Sequence, residues 1–140
     1  MFGLPTINWL AVLVTGFVYM AIGFVWYSMR AFGGPWSRLI GISEEDLRRG
    51  ARPILYLVTF VLALVGGATL AVVVRSVGAT TVLGGLKAGL LVAVGFVLTT
   101  FGTEYIFSRR PFKLYLITAG YQAVAIVVNA IILAIWQLPS

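Results

Sequence analysis

Of 140 residues, 61% are hydrophobic and only 10% are charged; the formal net charge is +6, and neither cysteine nor histidine occurs. A soluble domain carries roughly 25% charged residues, so a chain of mean hydropathy +1.04 has too little polar surface to cover a soluble core. Without cysteine there are no disulfides or thiolate ligands, and without histidine the commonest general base and metal ligand is missing; no cofactor, metal or nucleic-acid partner is expected.

The few charges are crowded together and leave four uncharged runs: residues 1–29, 53–74, 88–103 and 114–140. A helix that crosses the bilayer core needs about 20 mostly apolar residues. The expectation is an all-α integral membrane protein, a four-transmembrane-helix bundle that uses the chain as a single domain. Strands are excluded because the runs lack alternating polarity and an open sheet edge cannot be satisfied in lipid.

The first helix is expected over residues 7–29. It has neither the basic leader nor the small-residue cleavage site of a signal peptide, so it reads as a retained membrane helix. Gly16 and Gly23 lie seven residues apart on it and suit close helix packing, because small residues let backbones approach.

The first connection carries Arg30, Arg38, Arg48, Arg49 and Arg52. Within it, "GISEEDLRRG" predicts a short surface helix over 44–49. Ser43 can cap its first turn, with Asp46 as a shortened capping-box partner; the acids then sit at the positive end of the helix dipole and the arginines at the negative end. Arg48, Arg49 and Arg52 are candidates for anionic lipid headgroups, although topology alone explains basic residues there.

The second helix is expected over 53–74, with Pro53 in its first turn, where a missing N–H costs little. The third, over 83–107, opens on "GGLKAG", in which Gly85 and Gly89 make a small-xxx-small step. It carries Thr99 and, near its far end, Glu104, which is the single acid inside an apolar run. The fourth helix, over 112–136, places Thr118, Gln122, Ala125 and Asn129 on one face at three- and four-residue steps. That face is either a polar lining for a substrate path or a set of interhelical hydrogen bonds.

Grouping the connections by side puts eight basic residues on the first and third against two, Arg75 and Lys87, on the second. The positive-inside rule makes the first and third connections cytoplasmic and both termini extracytoplasmic, as in a plasma membrane. Trp9, Trp26, Tyr27, Tyr105 and Trp136 fall near helix ends, where aromatic belts sit. The two halves echo each other faintly, "GFVWYSMRAFGGPWSRL" against "GTEYIFSRRPFKL", which suggests two tandem helical hairpins. Glu104 lies about 6 Å inside the apolar edge at 1.5 Å per residue, shallow enough to pair with Arg30, Arg109 or Arg110.

The segments "INWLAVLVTGFVYMAIGFVWYS", "FGGPWSRLIGISEEDL", "GLLVAVGFVLTTF" and "RRPFKLYLITAGYQ" resemble a bacterial family of small four-helix membrane proteins catalogued as domain of unknown function 1761. The resemblance implies a four-helix membrane fold across nearly the whole chain and brings no catalytic residues with it.

No pair of intramembrane carboxylates, glycine-rich phosphate loop or metal-ligand spacing is present, so no enzyme is expected. The leading expectation is an accessory, scaffold or self-assembling membrane subunit, a homo-oligomer or part of a membrane complex. The alternative is an oligomeric transporter or channel for a small solute or cation that uses Glu104 and the Gln122/Asn129 face.

Overall fold

In a computed structural model, residues 6–50 and 52–137 are described, and these contain helices but no strand. Four spans are long and apolar enough to cross a membrane: Trp9–Trp26, Pro53–Ser76, Val82–Phe107 and Phe112–Ile135. This is a multi-pass membrane protein. Large apolar side chains such as Leu62, Phe96 and Phe107 point outward along the spans; in water they would be a liability, and in a bilayer they face lipid. The two chain ends, expected on the extracytoplasmic side, lie outside the described residues.

The first span, α1 (Trp9–Trp26), opens with the Asn8 side chain accepting a hydrogen bond from the Ala11 N–H at 3.2 Å. It stops three residues short of the expected Met29. The chain turns there because Gly33 folds back against the carbonyl oxygens of Tyr27 and Ser28, a space that any Cβ would fill. A short helix not expected from the sequence follows, α2 (Gly33–Ile40). Pro35 in its first turn was the available signal for it. Then comes α3 (Glu44–Gly50), where the Ser43 hydroxyl accepts from the Asp46 N–H at 3.1 Å.

The second span is α4 (Pro53–Ser76), with proline in its first turn and a left-handed Gly78 closing its end. The third comprises α5 (Val82–Val92), a π-helical segment (Ala93–Leu98) and α6 (Thr99–Phe107). A π turn holds one more residue than an α turn, so the face that α5 presents to its neighbours is offset in α6. The last span is α7 (Phe112–Ile135).

Helix α7 is the hub: it packs against α1, α4, α5 and the π segment, while α1 and α4 also pair with each other. The α5–α7 crossing is backbone on backbone. A Cβ on Gly85 would lie 2.6 Å from the Ile131 Cα, and one on Gly89 would lie 2.8 Å from the Val127 Cα. Gly16 meets Leu64 and Phe60 of α4, and Gly23 meets the Tyr121 hydroxyl.

The buried core is not central. Its members, including Val12, Leu70, Val74, Ala88, Ala130 and Leu133, come from the start of α1, the end of α4, the start of α5 and the end of α7. The bundle is therefore tight at the end nearest the second connection. At the other end, where the basic residues gather, it opens: residues 53–59 of α4 are all exposed, and α6 buries no residue.

Candidate functional site

A polar seam joins α7 to α1 through the tight half and into the open half. Asn129 is buried, and its Nδ2 donates to the Thr15 carbonyl at 3.3 Å. Thr15 is itself fully buried and donates to Val12 O at 2.6 Å. Two turns nearer the basic end, Gln122 Nε2 donates to the Tyr19 hydroxyl at 2.9 Å and the Tyr121 hydroxyl to the Tyr19 carbonyl at 2.7 Å. Closer still to that end, Trp26 Nε1 donates to Ile117 O at 2.9 Å. Each of these donors would be costly to leave unpaired in lipid; the Thr15 hydroxyl finds its partner within α1, and the Asn129, Gln122, Tyr121 and Trp26 donors find theirs on the facing helix. The face that combined Thr118, Gln122 and Asn129 in sequence divides in space. Gln122 and Asn129 turn to α1, whereas Thr118 pairs with the Tyr105 hydroxyl of α6 at 2.8 Å and donates to Leu114 O.

Thr99 does not line the interior. It is exposed and donates to Gly95 O of its own helix at 2.9 Å. In the same span, Leu98 O accepts from the Tyr115 hydroxyl of α7 at 2.7 Å.

At the open end, Glu104 and Arg30 are both exposed. Among the described residues no ion pair joins Glu104 to Arg30, Arg109 or Arg110. The packing explains this: α1 lies against α4 and α7, while α6 lies against the π segment and α7. Arg110 instead sits over the Tyr105 ring, 5.3 Å from its centroid, a cation–π arrangement. Arg109 adopts a left-handed conformation with φ +57° and ends the span; its N–H goes to Ile106 O and that of Arg110 to Tyr105 O, a Schellman closure. In the first connection Arg49 pairs with Glu45 one turn earlier, and Arg48, Arg49 and Arg52 are all exposed.

No cluster of three metal-binding side chains occurs among the described residues. The arrangement combines interhelical polar contacts, an exposed carboxylate near the end of α6, and lateral clefts beside α4.

Residues 10–134 match the model of the family described as protein of unknown function (DUF1761), and the chain belongs to that family. No curated protein and no solved structure matches it.

Proposed function

We propose that this is a non-enzymatic subunit of a plasma-membrane assembly, built from copies of itself through the open, cytoplasmic end of the bundle. One observation carries the reading: α6 buries no residue, yet it holds Glu104 without an ion-pair partner among the described residues. A charge on a lipid-facing helix is expensive, less so near the interface than at mid-membrane but still unfavourable. Arg30 stands at the same membrane edge, exposed and equally unpaired. A head-to-tail contact, with Glu104 of one copy on Arg30 of the next, covers both. Such contacts repeat around a ring and leave no free end when the rotation closes.

Support also comes from the seam. Gln122 and Asn129 spend their amide donors on α1, which favours a locked bundle over a conduction path through this chain. Arg52 and the arginines of α3 would then lie at the headgroup layer, where each basic residue adds about 1 kcal/mol of attraction to anionic lipid.

The chain contains no cysteine, so single introduced cysteines report contacts without background. Ile106→Cys, at a side chain 75% exposed, is expected to cross-link between copies in native membranes, in particular to Met29→Cys. Leu91→Cys, 66% exposed on α5, is expected not to. Equal cross-linking at all three positions, or none at Ile106, would reject the assembly.

A further inference from the structure

A lateral groove of about 720 Å³ runs along α7 from Lys113 to Val124. Lys113 stands in the first turn of α7 and Val124 near its midpoint. The distance is roughly 16 Å at 1.5 Å per residue, half of a hydrocarbon core of about 30 Å. The groove therefore spans one leaflet, from the membrane edge at the open end of the bundle to the middle. Trp26 and Phe32 line it from the α1–α2 turn, Leu98 lines it from the π segment, and Gly120 and Ala123 line it from α7.

Its aromatic parts are pinned to α7. Trp26 Nε1 donates to Ile117 O at 2.9 Å, and the Tyr115 hydroxyl ties α7 to Leu98 O at 2.7 Å. A Cβ on Gly120 would stand 3.3 Å from the Trp26 ring, so the indole lies directly on the α7 backbone. The Phe32 ring packs against it with centroids 4.7 Å apart. Rings held in this way keep the groove formed in the absence of a ligand. Its rim is open, with Leu116 and Val124 exposed. One charged side chain lines it, Lys113, and no carboxylate does. Lys113 is exposed and has no ion-pair partner among the described residues. In the first turn of α7 its charge also opposes the helix dipole. An apolar groove one leaflet long, with an unpaired cation at its interfacial end, is complementary to an apolar tail that carries an anionic head.

We infer that this groove holds one acyl chain of an anionic phospholipid, with the lipid phosphate on the Lys113 ammonium. Lysine suits that role as a compact point charge. A zwitterionic lipid fits the apolar part equally well but brings no net charge to Lys113. The site takes a single lipid molecule, unlike the attraction of a whole headgroup layer to the arginines of α3. Neither Glu104 nor Arg30 lines the groove, so the site stands or falls apart from the assembly.

Trp26 reports from inside the groove. The chain has four tryptophans, and Trp9→Phe, Trp36→Phe and Trp136→Phe together leave Trp26 as the sole emitter. This full chain, in phosphatidylcholine vesicles, is titrated with phosphatidylglycerol brominated on its acyl chains and, separately, with equally brominated phosphatidylcholine. Half-maximal quenching of Trp26 is expected at about a fivefold lower mole fraction of the anionic lipid. Lys113→Gln, at an exposed side chain that leaves the packing untouched, is expected to abolish this preference, and Lys113→Arg to keep it. Ala123→Phe, which fills the groove away from the charge, is also expected to abolish it. Equal quenching by the two lipids would mean ordinary annular lipid. A preference that survives Lys113→Gln would mean attraction to basic residues elsewhere on the chain. A preference that disappears as protein density in the vesicle rises would mean that a second copy covers the groove. Each of these, or a preference unchanged in Ala123→Phe, overturns the inference.

Discussion

Asn129 of α7 donates its side-chain amide to the backbone carbonyl of Thr15 in α1 at 3.3 Å, while the Thr15 hydroxyl faces Gly67 of α4. Three helices are keyed at this one level. A Cβ on Gly67 would run into the Thr15 Oγ1, and nothing larger than glycine fits without moving α4.

Gly67→Ala is therefore expected to destabilise the bundle by about 1–3 kcal/mol, the usual range for overpacking a filled interior. Thr15→Ser keeps the hydroxyl and is expected not to rescue it, whereas Thr15→Ala removes the obstructing atom and should recover part of the loss. Unfolding by SDS titration in mixed micelles, run as a double-mutant cycle, reads the coupling. Additive losses would mean that the contact is not made.

The α5–α7 crossing gives a sharper contrast within one span. Gly85→Ala places a methyl group on the Ile131 backbone, which cannot step aside as a side chain can; a loss of about 1–3 kcal/mol is expected. Gly95 lies one stretch further along the same span and has open space around it. Gly95→Ala is expected to be neutral, or stabilising by up to about 1 kcal/mol from helix propensity. The same denaturation assay compares them, and equal losses would contradict the packing described.

Much of this architecture is legible in the sequence. Run length and charge placement locate four spans, because crossing a bilayer fixes both the length and the polarity of a helix. Gly16, Gly23, Gly85 and Gly89 mark surfaces where backbones approach, yet Gly66 and Gly67 look alike in sequence, and only packing makes one a contact and the other an opening. The π segment has no signal of its own: "AVGFVL" is as apolar as its neighbours. Beyond it, Thr99 and Glu104 are both exposed. Helix α2 (Gly33–Ile40) opens on two glycines, which are poor helix formers, and Pro35 in its first turn is the one local signal for it. The α1–α7 seam was half visible. Spacing aligned Gln122 with Asn129, but Tyr19 as acceptor emerges only when two distant segments are placed side by side.

Arg109 is a left-handed residue with a Cβ, closing α6 where Gly41 and Gly78 close α2 and α4. A side chain in that region costs roughly 1–2 kcal/mol. Arg109→Gly is expected to raise stability by up to about 1 kcal/mol, part of the relief being offset by the greater freedom of glycine in the unfolded chain. Arg109→Val is expected to lower stability, because a β-branched side chain fits that conformation poorly. Thermal unfolding in nanodiscs tests the order Gly above Arg above Val, and any other order would argue against this cap.

Retaining arginine at 109 in spite of that strain keeps three basic residues, Arg109, Arg110 and Lys113, at the end of the third span. Among the described residues none of them pairs with Glu104.

The most direct test of the assembly is charge reversal read by native mass spectrometry from nanodiscs. The wild-type chain is expected to leave the disc as one defined oligomer. Glu104→Arg alone and Arg30→Glu alone should each reduce it to monomer without unfolding the bundle, since neither side chain has an ion-pair partner among the described residues. The double variant Glu104→Arg with Arg30→Glu should restore the oligomer, with each charge again opposite its complement. A monomeric wild type, or an oligomer indifferent to both reversals, would contradict the account.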